Sequence, residues 1–240
     1  SAGRTSLKSL YLIGAGAALL QLLAILGYSL ALALLGPKPT SALETFTVYQ
    51  SSPLEMVLRG DFLLLILIGL YLGTFPALYV ALRRVNPIFT ALATLLTIIV
   101  VTLTFAGEAT FSLLYLAEQY ATAGSAALRA QFLAAGEAVI SAGMWHSSGA
   151  YVSGILLQGS GVMISVIMLR SRDFSKVTAY AGILANGFDL IQHVLHPFAP
   201  EISGFIAMFM GVFYFVWYPM LARDFILLAR GVSKAQEVKI

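Results

Sequence analysis

Between Lys8 and Lys38 the chain runs for 29 residues without one Asp, Glu, Lys or Arg. A helix rises about 1.5 Å per residue and needs about 20 apolar residues to cross a hydrocarbon layer, so this run alone can span a bilayer. Five more apolar runs follow it. The expected spans lie at about 10–35, 62–82, 87–107, 147–169, 177–195 and 202–221. Their limits carry helix punctuation: Gly36 and Pro37 close the first, Arg83 and Arg84 close the second, and Pro87 suits the first turn of the third. Only 10% of the chain is charged and 59% is hydrophobic, whereas a soluble domain carries about 25% charged residues. So few charges cannot coat a water-exposed surface. The fold expected is all-α, a single transmembrane domain over 1–240 forming a polytopic helix bundle.

Loop charge orients the spans, because basic residues are retained on the cytoplasmic side. With the N-terminus inside, the inner segments hold Arg4, Lys8, Arg83, Arg84, Arg170, Arg172, Lys176, Arg223, Arg230, Lys234 and Lys239. The outer segments hold only Lys38, Arg59 and Arg129. Both termini are therefore expected to be cytoplasmic. The segment 125–145 is apolar apart from Arg129 and Glu137, but counting it as a crossing would reverse the charge asymmetry. It is expected as an outer interfacial helix. The formal net charge of +3 is explained by these loop clusters, so no nucleic-acid partner is expected. The expected partners are the lipid bilayer and a lipid-like or small hydrophobic ligand, and the expected location is a bacterial or archaeal plasma membrane. The first run is too long for a cleavable export signal. The absence of Cys removes disulfides, thiolate metal sites and Cys nucleophiles.

Lipid offers no hydrophobic force between helices, so close contacts are expected at small residues. Candidates are Gly14 and Gly16 in the first span, Ala150 and Gly154 in the fourth, Ala181 and Ala185 in the fifth, and Ala207 and Gly211 in the sixth.

Ionisable residues inside a span are costly and point to function. Asp189, His193 and His196 fall in the fifth span. At about 100° per residue, His193 lies about 40° from Asp189 and His196 about 20° to the other side, so the three share one stripe. His146, Glu108 and Glu137 map to the same outer half. Imidazole and carboxylate donors from several helices suit zinc or another divalent transition metal, with His146, Asp189, His193 and His196 as ligands. A metal with an open position would make a hydroxide near neutral pH, and hydrolysis of a lipid ester or amide follows. Glu108 or Glu137 would act as general base and Ser147 or Ser148 would polarise the carbonyl. Haem held by His146 and His193 is a second, weaker expectation.

The same residues also suit proton- or cation-coupled transport of a small solute, with Asp189 changing protonation and Gln21, Gln158, Asn186 and Gln192 lining the path. A non-catalytic membrane subunit is the third reading. Tyr214, Trp217 and Tyr218 near Arg223 are expected as an interfacial aromatic belt. No Lys lies within a span, and no P-loop, dinucleotide fingerprint or Gly-x-Ser-x-Gly elbow is present in a suitable context.

The run from Leu12 through Gly14 and Gly16 to Leu20, the segment from Phe213 to Arg223, the length and the six spans together resemble uncharacterised bacterial six-pass proteins grouped as a domain of unknown function. The likeness covers most of the chain and implies no reaction. The His and acid pattern is distantly similar to intramembrane metal hydrolases of the ceramidase and adiponectin-receptor type. Those have seven spans and a different ligand arrangement, and no residue is carried across.

Overall fold

A computed structural model describes residues 2–143 and 147–237, and every element among them is an α-helix. In chain order these are α1 (Ala2–Leu35), α2 (Ala42–Ser51), α3 (Pro53–Arg59), α4 (Phe62–Gly69), α5 (Tyr71–Leu82) and α6 (Pro87–Gly107). They are followed by α7 (Thr110–Thr122), α8 (Ala126–Ser141), α9 (Ser148–Met168), α10 (Lys176–Leu195) and α11 (Pro200–Glu237). Five stretches are long and apolar enough to cross a membrane: Thr5–Leu35, Phe62–Leu82, Pro87–Thr122, Ser148–Met168 and Pro200–Gly231. The fifth expected span is a helix, α10, but falls outside this set because Asn186, Asp189, Gln192 and His193 dilute its apolar character. The helix expected over 125–145 is α8, whose 16 residues rise about 24 Å, short of a 30 Å hydrocarbon core.

The chain divides into two compact units, each described by itself. One comprises Ala24–Ile68 and Leu103–Tyr151. Its short helices α2 and α3 begin with local chemistry that periodicity does not reveal. Ser41 Oγ accepts from Glu44 N at 3.2 Å, and Ser52, followed by Pro53 at the first helical position, accepts from Glu55 N at 3.1 Å. Phe46, Ala42 and Ala117 are fully buried, with Tyr120, Leu113 and Leu133 packed around them. Gly136 of α8 lets that helix close on α2, since a Cβ there would lie 2.7 Å from the Phe46 ring and 2.8 Å from the Ala42 Cβ. Arg59 donates to the Pro37 carbonyl through Nε and Nη2, at 3.0 and 2.7 Å, and pairs with Glu55 and Glu44. Lys38 pairs with Asp61.

The other unit comprises Ser1–Leu23, Gly69–Thr102 and Val152–Ile240. Helices α1 and α5 cross through small residues. A Cβ on Gly14 would lie 2.7 Å from that of Ala77, and a Cβ on Gly73 would lie 2.8 Å from that of Ala17. The backbones approach here because no side chain intervenes. Gly16, read from sequence as a contact, has nothing within 4 Å of a built Cβ, and the same holds for Gly211. Both correct the expectation of close contacts at these two glycines, since they face away from the neighbouring helices.

In this unit α10 is turned inside out relative to a helix on a water-soluble surface. Val177, Tyr180, Leu184, Ile191 and Val194 are exposed, while Thr178, Ala181, Gly182, Ala185, Asn186, Asp189, Gln192 and His193 are buried. Apolar side chains outward and polar ones inward is the arrangement a hydrocarbon solvent selects. The pattern explains why a mean hydropathy misses α10, for the mean ignores which side each residue faces.

Replacing Gly14 or Gly73 with Leu overpacks the crossing of α1 with α5 and lowers stability by about 1–3 kcal/mol. Gly16→Leu leaves it unchanged, and thermal unfolding of the detergent-solubilised protein separates the variants.

Candidate intramembrane polar site

Helices α9 and α10 run antiparallel in a register set by their smallest residues. His193 packs over Gly154, Asn186 over Gly161, and Ser165 against Gly182. Along α9 these contacts advance from 154 to 161 to 165 while along α10 they retreat from 193 to 186 to 182. The steps of seven and four residues keep each set on one helical face. A Cβ on Gly154 would lie 1.8 Å from His193 Nε2, and one on Gly161 would lie 2.0 Å from Asn186 Oδ1, so each glycine makes the room its polar partner occupies.

The same register brings Gln158 and Asp189 to the same level, and α11 joins them there. Tyr214 Oη lies 2.9 Å from Asp189 Oδ2, 3.1 Å from Gln158 Oε1 and 3.4 Å from Asn186 Oδ1. A phenol has one proton to donate, and three acceptor oxygens surround it. Asn186 Nδ2 donates to the Gly182 carbonyl at 2.8 Å, which turns its Oδ1 toward the tyrosine. Asp189 is 8% exposed, and no Lys or Arg pairs with it among the described residues. One turn along α11, Tyr218 shares a 2.9 Å hydrogen bond with Tyr71 of α5, and its ring stacks on that of Tyr214 at 5.5 Å. Trp217 Nε1 and Ser153 Oγ are buried without a hydrogen-bond partner among the described residues.

Tyr214, Trp217 and Tyr218 are thus core residues, 6%, 1% and 1% exposed, and not an interfacial belt. Their positions carried the signal. Tyr214, Tyr218, Leu221 and Phe225 recur at helical spacing, and all four are buried. Tyr214 is the candidate-site residue that the sequence pattern placed elsewhere, and Gln158 and Asn186 are its partners among the polar residues noted for α9 and α10.

The two ends of α10 are tied down. At its start Asp224 of α11, itself buried, accepts from Ser175 N at 2.9 Å and from Thr178 Oγ1 at 2.5 Å. At its finish Ser203 Oγ donates to the Gln192 carbonyl at 3.1 Å and lies 3.3 Å from His196 Nδ1.

The residues expected to act as base or polariser sit at helix starts. Glu108 accepts from Thr110 N and Thr110 Oγ1, at 2.9 and 2.5 Å, where α7 begins. Glu137 accepts from Ala42 N at 2.8 Å, where α2 begins. Ser147 accepts from Ala150 N at 3.1 Å, where α9 begins. Each occupies a donor that the first helical turn leaves without an intrahelical partner. These three belong to the unit of α2, α7 and α8, whereas Asp189, His193 and His196 belong to the unit of α9, α10 and α11. His146, expected as a metal ligand and as a haem ligand, lies outside the described residues. Among the described residues no three His, Asp or Glu side chains gather so as to hold a metal ion.

No family model matches the chain, and neither a curated protein nor a solved structure matches it.

His193 and Gly154 form a lock whose halves can be removed separately. Gly154→Ala displaces the imidazole and lowers stability by about 1–3 kcal/mol, whereas Gly159→Ala, with nothing within 4 Å of the built Cβ, does not. In His193→Ala the Gly154→Ala change costs less than in the wild type, and a double-mutant cycle of thermal unfolding measures the difference.

Proposed function

We propose that the protein is a proton- or cation-coupled carrier of a small solute, with α10 as a sixth crossing and Asp189 as the coupling group. The single observation that carries this reading is the placement of Asp189. It is an acid on the inward face of a helix whose outward face is apolar, bonded to a tyrosine and, among the described residues, to no cationic side chain. Ionisable side chains at such positions mark ion and proton pathways. A carboxylate paired with Arg or Lys would read as structural glue, but this one has neither beside it among the described residues.

The surroundings support the same chemistry. Oxygens of Asp189, Gln158 and Asn186 meet at Tyr214, which is more acceptor capacity than one hydroxyl proton satisfies. Such a cluster can take up one more proton, or a hard cation that prefers oxygen ligands. Gln192 of α10 and Gln21 of α1 are buried polar residues as well. Ser153 and Trp217 add donors on α9 and α11 that have no hydrogen-bond partner among the described residues.

Metal-dependent hydrolysis would need His146 to join Asp189 or His193. It draws no support from Glu108, Glu137 and Ser147, whose side-chain oxygens serve the starts of α7, α2 and α9.

The test is ion movement in proteoliposomes carrying an internal pH dye under an imposed potassium diffusion potential, repeated with a sodium gradient. Wild-type protein moves protons or sodium above the protein-free baseline. Asp189→Asn falls to that baseline while keeping its thermal stability, and Asp189→Glu retains part of the flux. Absence of flux in the wild type, accompanied by stoichiometric bound metal, rejects the carrier in favour of a metalloenzyme. Flux unchanged in Asp189→Asn removes Asp189 from the role.

A further inference from the structure

In the unit of α9, α10 and α11, a cavity of about 300 Å³ is lined by Asn86, Phe89, Met163, Val166, Ile167 and Arg170. Its chemistry is divided. Phe89, Met163, Val166 and Ile167 are apolar, and Phe89 and Val166 are 50% and 43% exposed, so the wall opens toward the surroundings of the bundle. Asn86 and Arg170 contribute the polar part, and both present donors. Asn86 Oδ1 accepts from Phe89 N at 3.2 Å, and its Nδ2 carries two hydrogens to donate. Arg170 is exposed, makes no ion pair among the described residues, and carries five N–H groups in a fixed fork. No Asp or Glu lines the cavity.

A ligand complementary to this lining has an anionic, acceptor-rich head joined to an apolar body. We infer that the cavity holds an anionic phospholipid, its phosphate on Arg170 and Asn86 and part of an acyl chain along Phe89, Met163, Val166 and Ile167. The charge around it fits such a head. Arg83 and Arg84 stand in the turn that leads to Asn86, and Arg172 and Lys176 follow Arg170, with Asp173 the one acid in that second loop. Clustered basic residues at a membrane surface attract anionic lipid, and a guanidinium engages phosphate through two parallel hydrogen bonds. The site is independent of Asp189, so its fate and that of the proposed carrier are read separately.

The experiment reconstitutes the protein in nanodiscs of phosphatidylcholine with added phosphatidylglycerol, extracts it in mild detergent and measures retained lipid by native mass spectrometry. Wild-type protein retains phosphatidylglycerol in preference to phosphatidylcholine. Arg170→Gln lowers that retention about tenfold, the loss of one charge-assisted contact. Val166→Trp, which fills the apolar part and leaves every charge in place, lowers it as well. Excess inorganic phosphate or glycerol 3-phosphate leaves the retained lipid bound. Undiminished retention in either variant overturns the inference, and displacement by the free phosphates assigns the donors to a soluble anion instead. Unfolding temperatures of both variants in phosphatidylcholine alone, equal to that of the wild type, confirm that the reading is made on folded protein.

Discussion

An acid carried into an apolar bundle has to find hydrogen-bond partners on other helices, and the packing of α9, α10 and α11 follows from that requirement. Burying a polar group without a partner costs about 2–7 kcal/mol, so Asp189 is tolerable only where Tyr214 reaches it. Tyr214 in turn reaches Gln158 and Asn186 only because α9 and α10 lie close, and they lie close because Gly154, Gly161 and Gly182 offer no side chains. The glycines and the polar residues are one device. A glycine face without polar partners would pack but specify little, and polar residues without glycines could not meet.

Much of this was legible from the residues, and the exceptions share a physical cause. Length and the absence of charge make the long helices plain, and α6 occupies the 87–107 that its flanking Pro87 and Glu108 mark. The stripe of Asp189 and His193 follows from helical geometry alone, and both are buried on one face. Glu108, Glu137 and Ser147 stand at helix starts, and the ends of apolar runs collect polar residues for two reasons. Chemistry is one, and the need of every helix start for an acceptor is the other. Tyr214 was hidden by the company of Trp217, Tyr218 and Arg223, which suggests a membrane rim, although its spacing to Leu221 and Phe225 places it inward. Helices α2 and α3 are short, and each is started by a serine cap, which leaves no long period to detect.

Charge pairing separates the loops in the same sense as their count. Lys38 and Arg59, two of the three basic residues read as outer, are held by Asp61, Glu44 and Glu55. Of those read as inner, only Arg223 has a described acid partner, its neighbour Asp224. A compensated charge exerts little field at a distance, whereas an uncompensated one attracts anionic headgroups. Among the described residues, the basic side chains beside α5 and α9 thus have no acid partner.

Asp224 at one end of α10 and Ser203 at the other fasten that helix to α11. The seam with α9 is different in kind, a track of glycines into which His193 and Asn186 fit, with the Tyr214 hydroxyl reaching Gln158 beside it. Because each of those side chains fills the gap that a glycine leaves, a shift of α9 along α10 would drive side chain against backbone, and the register is held by shape as well as by hydrogen bonds.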